Sequence, residues 1–157
     1  MRIIKKRIAL PSMLTIGLVT AIVAVGQDTE VKIARKDLPA PVEQTVREQS
    51  KGAVVRGFAR EVKSGETFYE VELRVKGIKK DVLMDPTGKV VEVEEQVTLN
   101  SLPAAARDEI VKQAGKGKIL LVESITKDNV LVGYEAHVKS AGKILEIKVN
   151  PDGTPMK

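Results

Sequence analysis

The chain holds one histidine, His137, and no cysteine. Thiolate nucleophiles and the Cys/His ligand sets of structural zinc sites are therefore out of reach. Ser124 and Ser140 lie near His137 in sequence, but no Gly-x-Ser-x-Gly elbow is present to hold a nucleophile against a base. His137 is read as a solvated surface side chain. Glu92, Glu94 and Glu95 gather carboxylates on what reads as an edge strand. Glu92 and Glu94 share a face there and could attract a cation, yet charges of this kind also keep an exposed edge soluble, and that is the reading taken. Asp85-Pro86-Thr87-Gly88 is rich in oxygen but lacks the D-x-D-x-D-G spacing that gathers calcium ligands, so it reads as a turn. Gly115-Lys116-Gly117-Lys118 follows a helix instead of opening one, which makes it a helix stop and not a phosphate cradle. Four aromatic residues, Phe58, Phe68, Tyr69 and Tyr134, are too few for a stacking platform on nucleic acid. No catalytic, cofactor-binding or metal-binding residues are expected, and the chain reads as a non-enzyme.

Composition agrees with a folded, exported chain. It has 157 residues, 43% of them hydrophobic and 30% charged, with a formal charge of +5. Four of the basic residues, Arg2, Lys5, Lys6 and Arg7, precede the first acidic one, Asp28; beyond them 22 basic residues stand against 21 acidic. The excess charge thus belongs to the N-terminal tip and is poor evidence for a nucleic-acid surface. Residues 1–26 have the three parts of a secretory signal: a basic tip, an apolar stretch from Ile8 to Val25, and small residues Ala24 and Gly26 placed for cleavage before Gln27. A periplasmic or secreted location is expected, with the membrane touched only through an uncleaved leader. Residues 27–36 read as a linker.

The elements that follow recur. Leu38-Pro39 returns 64 residues later as Leu102-Pro103; one residue is then inserted, and an offset of 65 pairs Tyr69-Glu70 with Tyr134-Glu135 and Gly77 with Gly142. It also pairs Asp85-Pro86-Thr87-Gly88 with Asn150-Pro151-Asp152-Gly153. Each copy opens with a short helix. Asp37 and Ser101 read as caps, and Leu38, Val42 and Val46 line one helix face as Leu102, Ala106, Ile110 and Ala114 line the other. Strands are expected over 54–63, 67–75, 79–84 and 89–97, then over 118–126, 130–139 and 144–149. In 67–75, Tyr69, Val71, Leu73 and Val75 alternate with Phe68, Glu70, Glu72 and Arg74, which marks an antiparallel sheet covered on one face. The second copy has no room for a full fourth strand. The expected fold class is α+β: two tandem α-β-β-β(-β) units over 37–97 and 101–157, each a short helix packed on an antiparallel sheet, behind a signal peptide.

Tyr69-Glu70-Val71 and Asp85-x-x-Gly88-Lys89-Val90 resemble the signature of PepSY and PepSY-like domains, a group similar to the units of beta-lactamase inhibitory proteins. Tyr134-Glu135-Ala136 and Asn150-x-x-Gly153 resemble it more loosely. The resemblance implies a small exported module without catalytic residues that binds other proteins, with Tyr and Gly positions serving structure alone.

The expected function is binding of an extracytoplasmic protein, such as a secreted or periplasmic peptidase or other hydrolase, as its inhibitor or regulator. The alternative is a small-ligand or cell-envelope sensing module, which a deep apolar pocket would favour. Contacts are expected from the helix-free sheet face and two hairpin loops: Phe58 and Phe68, Ser64 and Glu66, Lys127 and Asn129, and His137.

Overall fold

The structure is a computed structural model that describes residues 29–156. The leader and its expected cleavage point lie outside the described residues. Among the described residues, eight strands form one antiparallel sheet in sequence order: β1 (Thr29–Lys32), β2 (Val54–Lys63), β3 (Glu66–Val75), β4 (Ile78–Met84), β5 (Val90–Gln96), β6 (Lys118–Lys127), β7 (Val130–Ser140) and β8 (Lys143–Val149). Helices α1 (Ala40–Gln49) and α2 (Ala104–Ala114) lie before β2 and β6.

Alternation explains how the helices are held. Val42 and Val46 of α1, fully buried, pack with Val71, Leu73, Val82 and Met84; Tyr69, Val90 and Val93 close the edge of this cluster. Ala106 and Ile110 of α2 pack with Val122, Tyr134, Ala136, Val138, Ile147 and Val149. Helices of three turns are marginal alone, so burial of these apolar stripes stabilises them. The turns after β4 and β8 dock on the helices. An added Cβ at Gly88 would lie 2.5 Å from the Pro41 carbonyl oxygen, and one at Gly153 would lie 2.6 Å from that of Ala105.

Several expectations are corrected. The two halves form a single domain: β5 pairs with β6 from Glu92↔Lys127 to Gln96↔Glu123, so both helices sit on one continuous sheet. This pairing satisfies backbone groups that separate units would leave on two open edges. β5 is accordingly an interior strand, not an edge, and Glu92 is buried. The segment expected as a linker contains β1, which pairs with β2 from Thr29↔Val62 to Lys32↔Ala59, and a 3-10 turn at Arg35–Asp37. Its four exposed residues show no burial pattern; backbone pairing alone makes the strand. The helices start later than expected, with Pro39 and Pro103 at the cap positions. Asp37 Oδ2 instead accepts the Ala34 N–H at 3.2 Å, and Ser101 Oγ donates to the Thr98 carbonyl at 2.7 Å. After β8, among the described residues, the chain returns as a bridge between Val149 and Pro155, as the shortened second copy implies.

Candidate functional site

The residues that alternate away from the helices are charged in nearly every strand, and the sheet curls around them. The curl is measured by ion pairs that skip strands. Lys63 on β2 reaches Glu92 on β5, Lys79 on β4 reaches Glu123 on β6 at 2.9 Å, and Lys32 on β1 reaches Glu72 on β3 at 4.0 Å. Right-handed twist summed over many strands produces such curvature. The result is an open groove of about 500 Å³ lined by nine carboxylates, three lysines and one histidine. Glu30 and Glu61 come from the first two strands, Glu70, Glu72 and Asp81 from the next two, and Glu92 and Glu94 from β5. Glu135 and Glu146 close it from β7 and β8, with Lys63, Lys79, His137 and Lys148 between them. Glu123 lies beneath, with no exposed surface.

The lysines form a lattice through these acids. Lys79 Nζ bonds Asp81 Oδ2 and Glu123 Oε1. Lys148 Nζ lies 2.7 Å from Glu135 Oε2, and Lys127 Nζ lies 2.8 Å from Glu92 Oε2. Lys63 Nζ lies 2.6 Å from Glu61 Oε2. His137 Nε2 faces Glu135 Oε1 at 3.2 Å and Glu123 Oε2 at 3.5 Å. The pairing is incomplete: among the described residues, Asp81 Oδ1 and Glu123 Oε2 are buried without a hydrogen-bond partner.

Proton affinities follow from burial and crowding. Burial pushes Glu70 up to about 9, reinforced by its hydrogen bond with Glu61 and by the charges of Asp81, Glu61 and Glu30. Glu94 is pushed up to about 7, mainly by burial and then by the charge of Glu135. Asp81 is also raised, because burial outweighs its bond to Lys79. On Glu135 burial acts upward, but hydrogen bonds from His137 and Lys148 together prevail and hold it below the usual range. His137 is raised by its bond to Glu135 against the opposing effect of burial. Burial opposes charge on Lys79, yet its bonds to Asp81 and Glu123 prevail and raise it.

Of the expected contact residues, the groove takes His137, and Lys127 joins its rim through Glu92. His137 is not the solvated side chain expected: its side chain is 27% exposed and set among carboxylates. Phe68 lies in a shallower recess with Glu66, Thr67, Asp85, Pro86 and Val91. Phe58 does not join it. Paired with Val71, Phe58 packs on the α1 core with the Arg35 guanidinium 6.0 Å from its ring centre, while Phe68 pairs with Glu61 on the groove face. Ser64 and Asn129 occupy exposed hairpin turns with φ of 51° and 63°. Glu92, touched by Lys63 and Lys127, ties those two hairpins to one end of the groove. Sequence reasoning missed Glu61, Asp81, Glu123 and Glu135 as buried groups. Their only signal is that they oppose further carboxylates or Lys across the ladder, as in Glu123↔Glu135.

No protein-family model matches this chain, and no curated protein does. Solved structures share the fold. A Bacteroides eggerthii protein superimposes with a TM-score of 0.59 at 17% identity, covering 76% of this chain and 86% of that one. A DUF2874 family protein from Bacteroides ovatus gives 0.54 at 18% identity, over 76% and 85%. A BLIP-like protein from Bacteroides fragilis gives 0.51 at 15% identity, over 76% and 84%. The chain is thus similar in architecture to a BLIP-like fold.

Proposed function

We propose that this chain is an exported, non-enzymatic protein that binds a segment of another extracytoplasmic protein, such as a peptidase or other hydrolase, and regulates or inhibits it. The carboxylate-lined groove carries this reading. It is concave and open, and it presents far more acids than bases, which suits a partner segment bearing Lys or Arg. A small-ligand pocket would be mostly apolar with a few placed polar groups, and the groove has the opposite character. The leader-like residues 1–26 support export, as does the provisional periplasmic description of the Bacteroides eggerthii structure.

The PepSY-like, duplicated origin of the two halves belongs to the same reading. Tyr69↔Met84 and Tyr134↔Val149 are paired at the same offset of 65, and Gly88 and Gly153 meet their helices in the same way.

The test is paired capture from an extracytoplasmic extract, with partners identified by mass. Wild type is compared with a Glu72→Lys/Glu146→Lys variant, altered only on the groove, and with a Lys112→Glu variant, altered on exposed α2. A partner held by wild type and the helix variant but lost from the groove variant supports the proposal. Equal recovery by all three sinks it.

A further inference from the structure

We propose that His137, Glu135 and Glu146, backed by the buried carboxylate of Glu123, form a binding site for a divalent transition-metal ion of the zinc type. His137 and Glu135 project from the same face of β7, and Glu146 stands directly across the ladder from His137. One ligand atom from each of these three lies within 4.8 Å of the other two.

Two of the separations suit a small ion. Metal bonds near 2.0 Å imply ligand-to-ligand edges of about 3.3 Å; His137 Nε2 lies 3.2 Å from Glu135 Oε1 and 3.5 Å from Glu123 Oε2, while Glu146 stands within the wider limit of 4.8 Å from His137 and Glu135.

An independent observation points the same way. Glu123 Oε2 is wholly buried, makes no hydrogen bond among the described residues, and is turned toward the imidazole. Both buried glutamates are held from behind. Lys79 takes the other oxygen of Glu123 at 2.9 Å, and Lys148 takes that of Glu135 at 2.7 Å. Each lysine fixes its carboxylate while leaving one oxygen facing His137, as outer-shell partners of metal ligands do.

The donor set selects the ion. An imidazole among carboxylates suits zinc or a similar first-row ion, whereas calcium needs six to eight oxygens. The neighbouring acidic group, Asp81, Glu94 and Glu123, carries no such proposal, because the Lys79 ammonium already sits between Asp81 and Glu123. This inference shares the groove with the protein-binding reading but does not rest on it.

The test is calorimetric titration of ZnCl2 into the untagged, chelator-stripped protein, with the imidazole followed by 15N NMR. His137 is the chain's only histidine, so its resonances report this site alone. Saturable 1:1 binding with a shift of Nε2 is expected, undisturbed by excess CaCl2 or MgCl2. His137→Gln should weaken binding about 100-fold and Glu146→Gln at least about tenfold. Glu146 is exposed, so its variant decides the matter even if His137→Gln fails to fold. An unshifted imidazole at millimolar zinc, or wild-type affinity in a folded variant, overturns the proposal.

Discussion

Lys63 Nζ on β2 lies 3.9 Å from Glu92 Oε1 on β5, although β3 and β4 separate these strands in the sheet. A flat sheet would set them about 14 Å apart, at under 5 Å per strand. The contact therefore measures how far the helix-free face has closed, and it explains why glutamates on that face are buried. Burial makes their partners matter: losing one partner of a buried pair strands a charge, whereas replacing the whole group by neutral residues costs little.

Lys79 serves two buried carboxylates, Asp81 and Glu123. Lys79→Met is expected to lower unfolding free energy by about 3 kcal/mol. Adding Asp81→Asn and Glu123→Gln should recover most of that loss. Urea denaturation at neutral pH reads both, and a triple variant no more stable than the single one would contradict the account.

Stability should fall as pH rises from 5 to 9. Glu70 and Glu94 have folded values near 9 and 7, above their ordinary 4.5, so across that window the native state binds protons the unfolded chain has released. His137, also raised, acts in the same direction above its ordinary value. Glu135, held low, acts oppositely and costs stability only as pH drops below the ordinary carboxylate value. A maximum near pH 5 is expected in thermal melts, with Glu70→Gln flattening the alkaline side. A flat profile in wild type would refute this.

Gly88 combines a φ of +83° with the Pro41 carbonyl 2.5 Å from where a Cβ would stand. Gly65 has a similar φ of +85° but open space around it. Gly65→Ala should cost about 1 kcal/mol from backbone strain alone. Gly88→Ala should cost at least about 2 kcal/mol more, because α1 must shift. Equal denaturation midpoints for the two variants would show that the turn does not anchor the helix.

The two phenylalanines should behave differently. Phe58→Ala removes packing from the α1 core and should cost about 2 kcal/mol, below the range for a fully buried ring because Phe58 is half-buried. Phe68→Ala, in the shallow recess by Pro86, should stay within about 1 kcal/mol. Denaturant unfolding of each variant checks the pair, and a reversed order would place Phe68 in the core instead.

The elements and their faces were legible from local patterns. Tyr69, Val71 and Leu73 stand out as an inward set because a strand alternates strictly, and Val42 and Val46 because a helix repeats every three to four residues. β1 was not legible, since Thr29–Lys32 owes its place to backbone pairing with β2 and buries none of its side chains. Nor was the site. Glu70 and Glu72 stand out only as members of the face opposite Tyr69 and Val71, and nothing near Glu123 announces that both its oxygens are buried.

Alternation along each strand assigned every residue to one of two faces, because that choice depends only on neighbours in the chain. Whether the charged face met water or curled into a groove depended on twist accumulated over eight strands and on the join between β5 and β6. Those are sums over distant segments, and they turned solvated-looking glutamates, together with His137, into one crowded, partly desolvated cluster.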